Sequence, residues 1–402
     1  MISTDRYCYI VLYNDTDTTD PKNGDYVLSI TDVKVCYDTL LTQALPEDDI
    51  NDPEIAKRSA EEDMVSFLVD GNTAKAAAYF IGRKLPLSCE SSDTKLLHSL
   101  ALTDSIALNY AVAKQELEGC EDVKLEVTLP RYTGNVLTGK ETLTILPEDK
   151  GNYYYFTLTS LTAVTMADTL EATLYYTYQG TAFKTETDFY SIADYAYRQL
   201  GKNGIPEELK TLCADLLQYG AKAQLYKGYR TDSLATANMT ETHMSYLTDP
   251  ETVSLDGVNR VLEDEATHAI AWVGKSLDLG STVATKYIFS LGKYDGAVEE
   301  LTLRVSYDSL RGETVTMVLT DSEVYNAKNG YYAFTLRALP VAELRSVVSV
   351  QVCYGETALS QVLQYSAPAY GNGKTGTLGD LCTALLAYSD SARAYFLWQN
   401  NR

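Results

Sequence analysis

Leu212–Tyr226 reads LCADLLQYGAKAQLY and Leu381–Tyr395 reads LCTALLAYSDSARAY, and the likeness of these two stretches decides the fold. Apolar residues recur at i, i+3, i+4 and i+7 in both. They are Leu209, Leu212, Cys213, Leu216, Leu217, Gly220 and Ala223 in the first, and Leu378, Leu381, Cys382, Leu385, Leu386 and Ala392 in the second. This spacing predicts two helices with one apolar stripe each. Pro206, Glu207 and Glu208 suit the start of the first helix, where a fixed φ and negative charge are favourable. Tyr219 falls on Tyr388, Ala223 on Ala392 and Tyr226 on Tyr395. One stripe needs one apolar surface, expected here to be a sheet face or edge of the helix's own module.

Two further blocks match in the same order. Ser99-Leu100-Ala101-Leu102 corresponds to Ser276-Leu277-Asp278-Leu279, continuing through Ile106 with Val283 and Tyr110 with Tyr287. Tyr154–Leu158 (YYFTL) corresponds to Tyr332–Leu336 (YAFTL), with Leu161 on Leu339 and Met166 on Leu344. The offsets are 177, 178 and 169, a drift that falls between blocks as loop insertions and deletions would. Within each copy the period is first two. Glu121–Leu129 (EDVKLEVTL) and Glu299–Tyr307 (EELTLRVSY) alternate polar with apolar residues, as strands with one wet face do. Asn152–Leu158, Leu170–Tyr178 and Val347–Tyr354 are rich in Tyr, Thr, Val and Leu, and about seven short strands per copy suit two packed antiparallel sheets. A shorter helix is expected over Ser191–Leu200, and its counterpart at Ser366–Tyr370 is shortened or lost at Pro368.

The expected class is therefore mainly β with helical caps: β-sandwich, Ig-like modules, each followed by a C-terminal helix, in a tandem repeat. Residues 1–45 read as an N-terminal β segment, either the end of an upstream sandwich or added strands, and 46–92 as an acidic helical linker. Copy one spans 93–230, a linker 231–269 and copy two 270–402.

Tyr190-Ser191-Ile192-Ala193-Asp194-Tyr195-Ala196-Tyr197, followed by Leu212 and by Tyr219-Gly220-Ala221-Lys222-Ala223-Gln224, resembles a recurrent module of very large secreted proteins from gut Clostridia and related Gram-positive anaerobes. Gly274-Lys275-Ser276-Leu277-Asp278-Leu279 looks like the opening strand of that module, and copy two departs from the pattern at Pro368 and Ser389-Asp390. The resemblance implies an extracellular, cell-surface location, with attachment through regions outside this segment. It implies the company of leucine-rich repeats, immunoglobulin-like domains and carbohydrate-associated modules, and no activity.

Composition narrows the partners. The 402 residues carry 33 lysines and arginines against 55 aspartates and glutamates, a net charge of −22, which opposes nucleic acid and anionic membrane surfaces. No run of 18 apolar residues exists, so no direct membrane insertion is expected. Tyrosine is abundant at 32, fitting either amphipathic strands or a tyrosine-lined face for sugars or proteins. Seven cysteines form no CxxC pair, and Cys8 and Cys36, on two candidate neighbouring strands, are the one candidate disulfide.

Chemistry is sparse. His98, His243 and His268 read as surface or linker residues, with no nucleophile motif beside them. Gly371-Asn372-Gly373-Lys374-Thr375 reads as a turn and not as a phosphate loop. Asp15, Asp17, Asp20, Asn23 and Asp25 crowd one loop, and such oxygen-rich loops suit calcium, the one cofactor the sequence suggests. The loop lacks the EF-hand glycine and closing glutamate, and a solvated turn is the competing reading. The functional expectation is a non-enzymatic adhesin-like or spacer protein with a host or bacterial surface protein as partner. A glycan-binding module of a carbohydrate-degrading surface complex is the alternative, and a binder of secreted host proteins such as immunoglobulins a further one.

Overall fold

The computed structural model describes residues 2–4, 7–9, 89–102, 106–279 and 283–400. The chain divides into two compact units, Met1–Cys89 and Glu90–Arg402. In the first unit β1 (Ile2–Thr4) pairs antiparallel with β2 (Tyr7–Tyr9), Ser3 opposite Cys8. The carboxylate loop of residues 15–25, Cys36 and the expected helical linker as far as residue 88 lie outside the described residues.

The second unit is mainly β, without a barrel. Its strands begin with β3 (Glu90–Ser92), β4 (Leu97–Leu102), β5 (Ile106–Ala113), β6 (Cys120–Thr133), β7 (Val136–Ile145) and β8 (Glu148–Lys150). They continue with β9 (Tyr153–Leu158), β10 (Leu170–Tyr178), β11 (Thr181–Thr185) and β12 (Asp188–Tyr190), and then helices α1 (Ile192–Leu200) and α2 (Glu207–Lys227). After a short helix α3 (Glu241–Met244) come β13 (Asn259–Val261), β14 (Ala271–Leu279), β15 (Val283–Ser290), β16 (Leu301–Asp308) and β17 (Thr314–Leu319). The chain ends with β18 (Ser322–Asn326), β19 (Tyr331–Leu336), β20 (Val348–Tyr354), β21 (Thr357–Ala358), β22 (Leu363–Tyr365), α4 (Pro368–Gly371) and α5 (Gly376–Asn400).

Four sheets arise from these strands. One four-stranded sheet runs β4-β5-β9-β8 and another β14-β15-β19-β18. The six-stranded sheets run β3-β11-β10-β6-β7, with β12 also on β10, and β13-β22-β20-β16-β17, with β21 also on β20. The period-two pattern explains which face is buried. Leu125, Val127 and Leu129 of β6 are buried, as are Leu301, Leu303, Val305 and Tyr307 of β16, while the residues between them face outward. The β10–β11 hairpin closes through Gln179 and Gly180, both at positive φ (49° and 80°), a geometry that matches the twist of paired strands.

The helices are where expectation and structure part. Neither long helix simply covers its own sheets: α2 packs along α5 and against α1. Buried side chains from both halves and from α1, α2 and α5 form one continuous core. Residues 231–258 also pack onto this core: Ala235 and Met239 are buried, and Thr248 bonds to α2. The first short helix has nine residues capped by Ser191, whose hydroxyl accepts from Asp194 N; its counterpart α4 begins at Pro368 and has four.

Candidate functional site: the seam between the long helices

The seam is built from the residues whose spacing first marked the helices. Tyr219 of α2 and Tyr388 of α5 stack, with ring centroids 5.7 Å apart and planes 12° apart. Both are buried, and burial pushes both hydroxyls well above the ordinary tyrosine range. Burial likewise raises the thiol of Cys213 to about 12. Such groups stay neutral, so the centre of the seam is packed and chemically quiet.

Polar residues flank that centre, and each is committed. Asp215, 1% exposed, accepts from Thr248 N at 2.9 Å and from Thr248 Oγ1 at 2.7 Å. Burial nevertheless lifts its carboxyl above the usual range. Gln224, wholly buried, accepts from Ala235 N at 2.7 Å and donates to the Ser233 carbonyl at 3.1 Å. At the rim Lys222 pairs with Asp380 at 2.9 Å, joining the two helices. A cleft of about 320 Å³ opens beside this pair, bordered by Asp215, Gln218, Leu247, Glu251 and Ala384. Among the described residues no histidine or cysteine borders it, and no cluster of His, Cys, Asp and Glu is arranged to hold a metal.

The histidines lie apart from the seam. His98 is a correction to the sequence reading: its ring is 9% exposed, bonds Asp188 at 2.8 Å and stacks on Tyr190 at 3.8 Å between centroids. The alternation of Leu97–Leu102 carried that signal, since His98 lies two residues from Leu100, which packs against the core, on the same face of the strand. His243 caps α3 by accepting from Thr240 N, and His268 bonds Asp264 at 2.8 Å. Asp15, Asp17, Asp20, Asn23 and Asp25, the proposed calcium ligands, are outside the described residues.

The surface of the second unit carries an open sheet edge as well as the partly exposed stacked pairs Tyr176–Phe183 and Tyr395–Trp398. Strand β7 forms the end of its sheet, and its residues Val136–Thr142 are all exposed. Val136 and Leu137 are 65% and 49% exposed. Among the described residues no strand pairs with its outer side. Tyr153 and Tyr155 are edge-to-face, their planes 80° apart, rather than coplanar. Among the described residues no helix is long and apolar enough to cross a membrane.

Fold and site together define a mainly β protein whose second unit is drawn together by a pair of helices. No family model matches the sequence, and no curated protein matches it.

Proposed function

We propose that this chain is a non-catalytic, extracellular surface protein: a tandem pair of Ig-like β-sandwich modules, akin to those of large secreted proteins of gut Gram-positive anaerobes, serving as an adhesin-like binding or spacer unit for a protein partner. The observation that carries the reading is the Tyr219–Tyr388 stack, which joins matched helices into one core. A module pair fixed in this way holds whatever it displays at a constant spacing. The equal order of the two four-stranded sheets, and of β10-β6-β7 with β20-β16-β17, supports the duplication, although β3 pairs with β11 whereas β13 pairs with β22. The committed state of Asp215, Gln224 and His98 supports a structural use of the polar residues. The exposed edge of β7 supports a protein partner, because an unpaired edge recognises an added strand through its backbone.

The full chain, immobilised and exposed to mucosal fluid beside a glycan array, tests the proposal. Retention of a secreted or surface protein, weakened by Leu137→Lys on β7, supports it. Retention on glycans alone transfers the reading to the carbohydrate-associated alternative.

A further inference from the structure

Matched residues meet across the seam. Tyr219 stacks on its own counterpart, Tyr388. A residue that meets its own counterpart is answered by the same contact in reverse, and the matched helices α2 and α5 pack along each other around this stack. Reciprocity of this kind is the signature of an isologous interface about a two-fold axis; a head-to-tail contact joins unlike surfaces.

We infer that the long-helix face is a self-recognition surface, whose partner is another copy of the same module, and that this chain carries both partners in tandem. The inference rests on the reading of the two halves as copies. Linkage makes the pairing intramolecular, at an effective concentration of roughly millimolar. An isologous contact is also closed, so a third module finds no free face at this seam.

The rim of the seam has diverged while its centre has not. Asp215 faces Ser391, which holds the position corresponding to Lys222. In a pair of two first halves, Asp215 of each therefore faces Lys222 of the other. Opposite charges meet twice, and such a pair is favoured.

A protease site inserted between Glu251 and Thr252, both exposed, tests this in the full chain and leaves Asn238 and Thr248 with the first half whose groups they bond. Two cleaved preparations, whose N-terminal fragments differ in mass through a tag, are parted in urea, mixed and re-annealed. Native mass spectrometry is expected to show N-terminal fragments paired with each other as well as with C-terminal fragments. Tyr219→Asp is expected to remove the former. Re-annealing into mixed pairs alone, with shuffled tags proving exchange, overturns self-recognition. That result leaves the partner-binding proposal untouched, since mucosal and glycan retention are measured on the uncut chain.

Discussion

Gly220 of α2 lies so close to Met166 that a Cβ at position 220 would fall 2.2 Å from the Met166 sulfur. Met166 is itself fully buried and has little room to yield. The second half solves the same contact differently. Ser389 takes the place of Gly220 and donates to the Val341 carbonyl at 2.6 Å, while Leu344 takes the place of Met166. Asp390, beside it, forms a two-point ion pair with Arg345. The departure at Ser389-Asp390 is therefore a substituted set of contacts. Gly220→Ser is expected to lower stability by about 1–2 kcal/mol, since overpacking a filled core costs about 1–3 kcal/mol and exceeds the gain in helix propensity. Adding Met166→Leu, which copies the second half, should recover part of the loss. Urea denaturation of the three proteins checks it; an unchanged midpoint for Gly220→Ser would mean that Met166 yields freely.

Two tyrosines, Tyr388 buried and Tyr197 half-buried, offer a contrast of sign. Among the described residues the Tyr388 hydroxyl has no hydrogen-bond partner, whereas that of Tyr197 donates to the Ala235 carbonyl at 2.6 Å and accepts from Asn238 N. Removing an unsatisfied polar atom relieves a desolvation cost, and removing a bonded one forfeits the bond. Tyr388→Phe should leave stability unchanged or raise it by up to about 1 kcal/mol. Tyr197→Phe should lower it by about 1 kcal/mol. Thermal unfolding of both variants decides, and a loss on Tyr388→Phe would place a partner on that hydroxyl.

What the sequence disclosed, and what it withheld, follows from the same physics. The strand Leu170–Tyr178 was legible to the residue because one wet face forces alternation. Helix α2 was legible as a helix but not as an element buried on several sides. Besides the stripe, it buries Ala214 and Ala221 with Asp215 and Gln224. Small and polar residues give no apolar signal, even though they permit close approach and hold internal hydrogen bonds. The connection over 231–269 was polar enough to read as a linker, yet its backbone at Ala235 and Thr248 satisfies those same buried groups, as does the Thr248 hydroxyl. Buried polar pairs look like solvent-facing residues until both members are seen together.

Arg230 holds the end of α2 to the first half. Its guanidinium pairs with Asp168, 2% exposed, at 2.7 Å and lies over the Tyr132 ring at 4.5 Å. Tyr229 donates to the same carboxylate at 2.5 Å. Arg230→Leu leaves Asp168 buried with its hydroxyl donor alone, and should cost about 3 kcal/mol. Asp168→Asn with Arg230→Leu should cost less than the sum of the single changes. A double-mutant cycle in urea measures the coupling; additive losses would show that the pair contributes nothing beyond packing.

Asp215 gives the seam a dependence on pH whose direction is fixed by burial. Its carboxyl titrates above the ordinary value of about 3.9 because desolvation outweighs the bonds from Thr248. The folded chain therefore holds this proton more tightly than the unfolded chain does. Stability from this group is greatest once pH falls below the unfolded value, and it is lost as pH rises through the folded one. Asp215→Asn removes the titration while keeping one acceptor for Thr248 N. Relative to the parent, the variant should be better tolerated at pH 7 than at pH 4. Urea midpoints at the two pH values test this, and an equal offset at both would show that the Asp215 carboxyl titrates alike in the folded and unfolded chains.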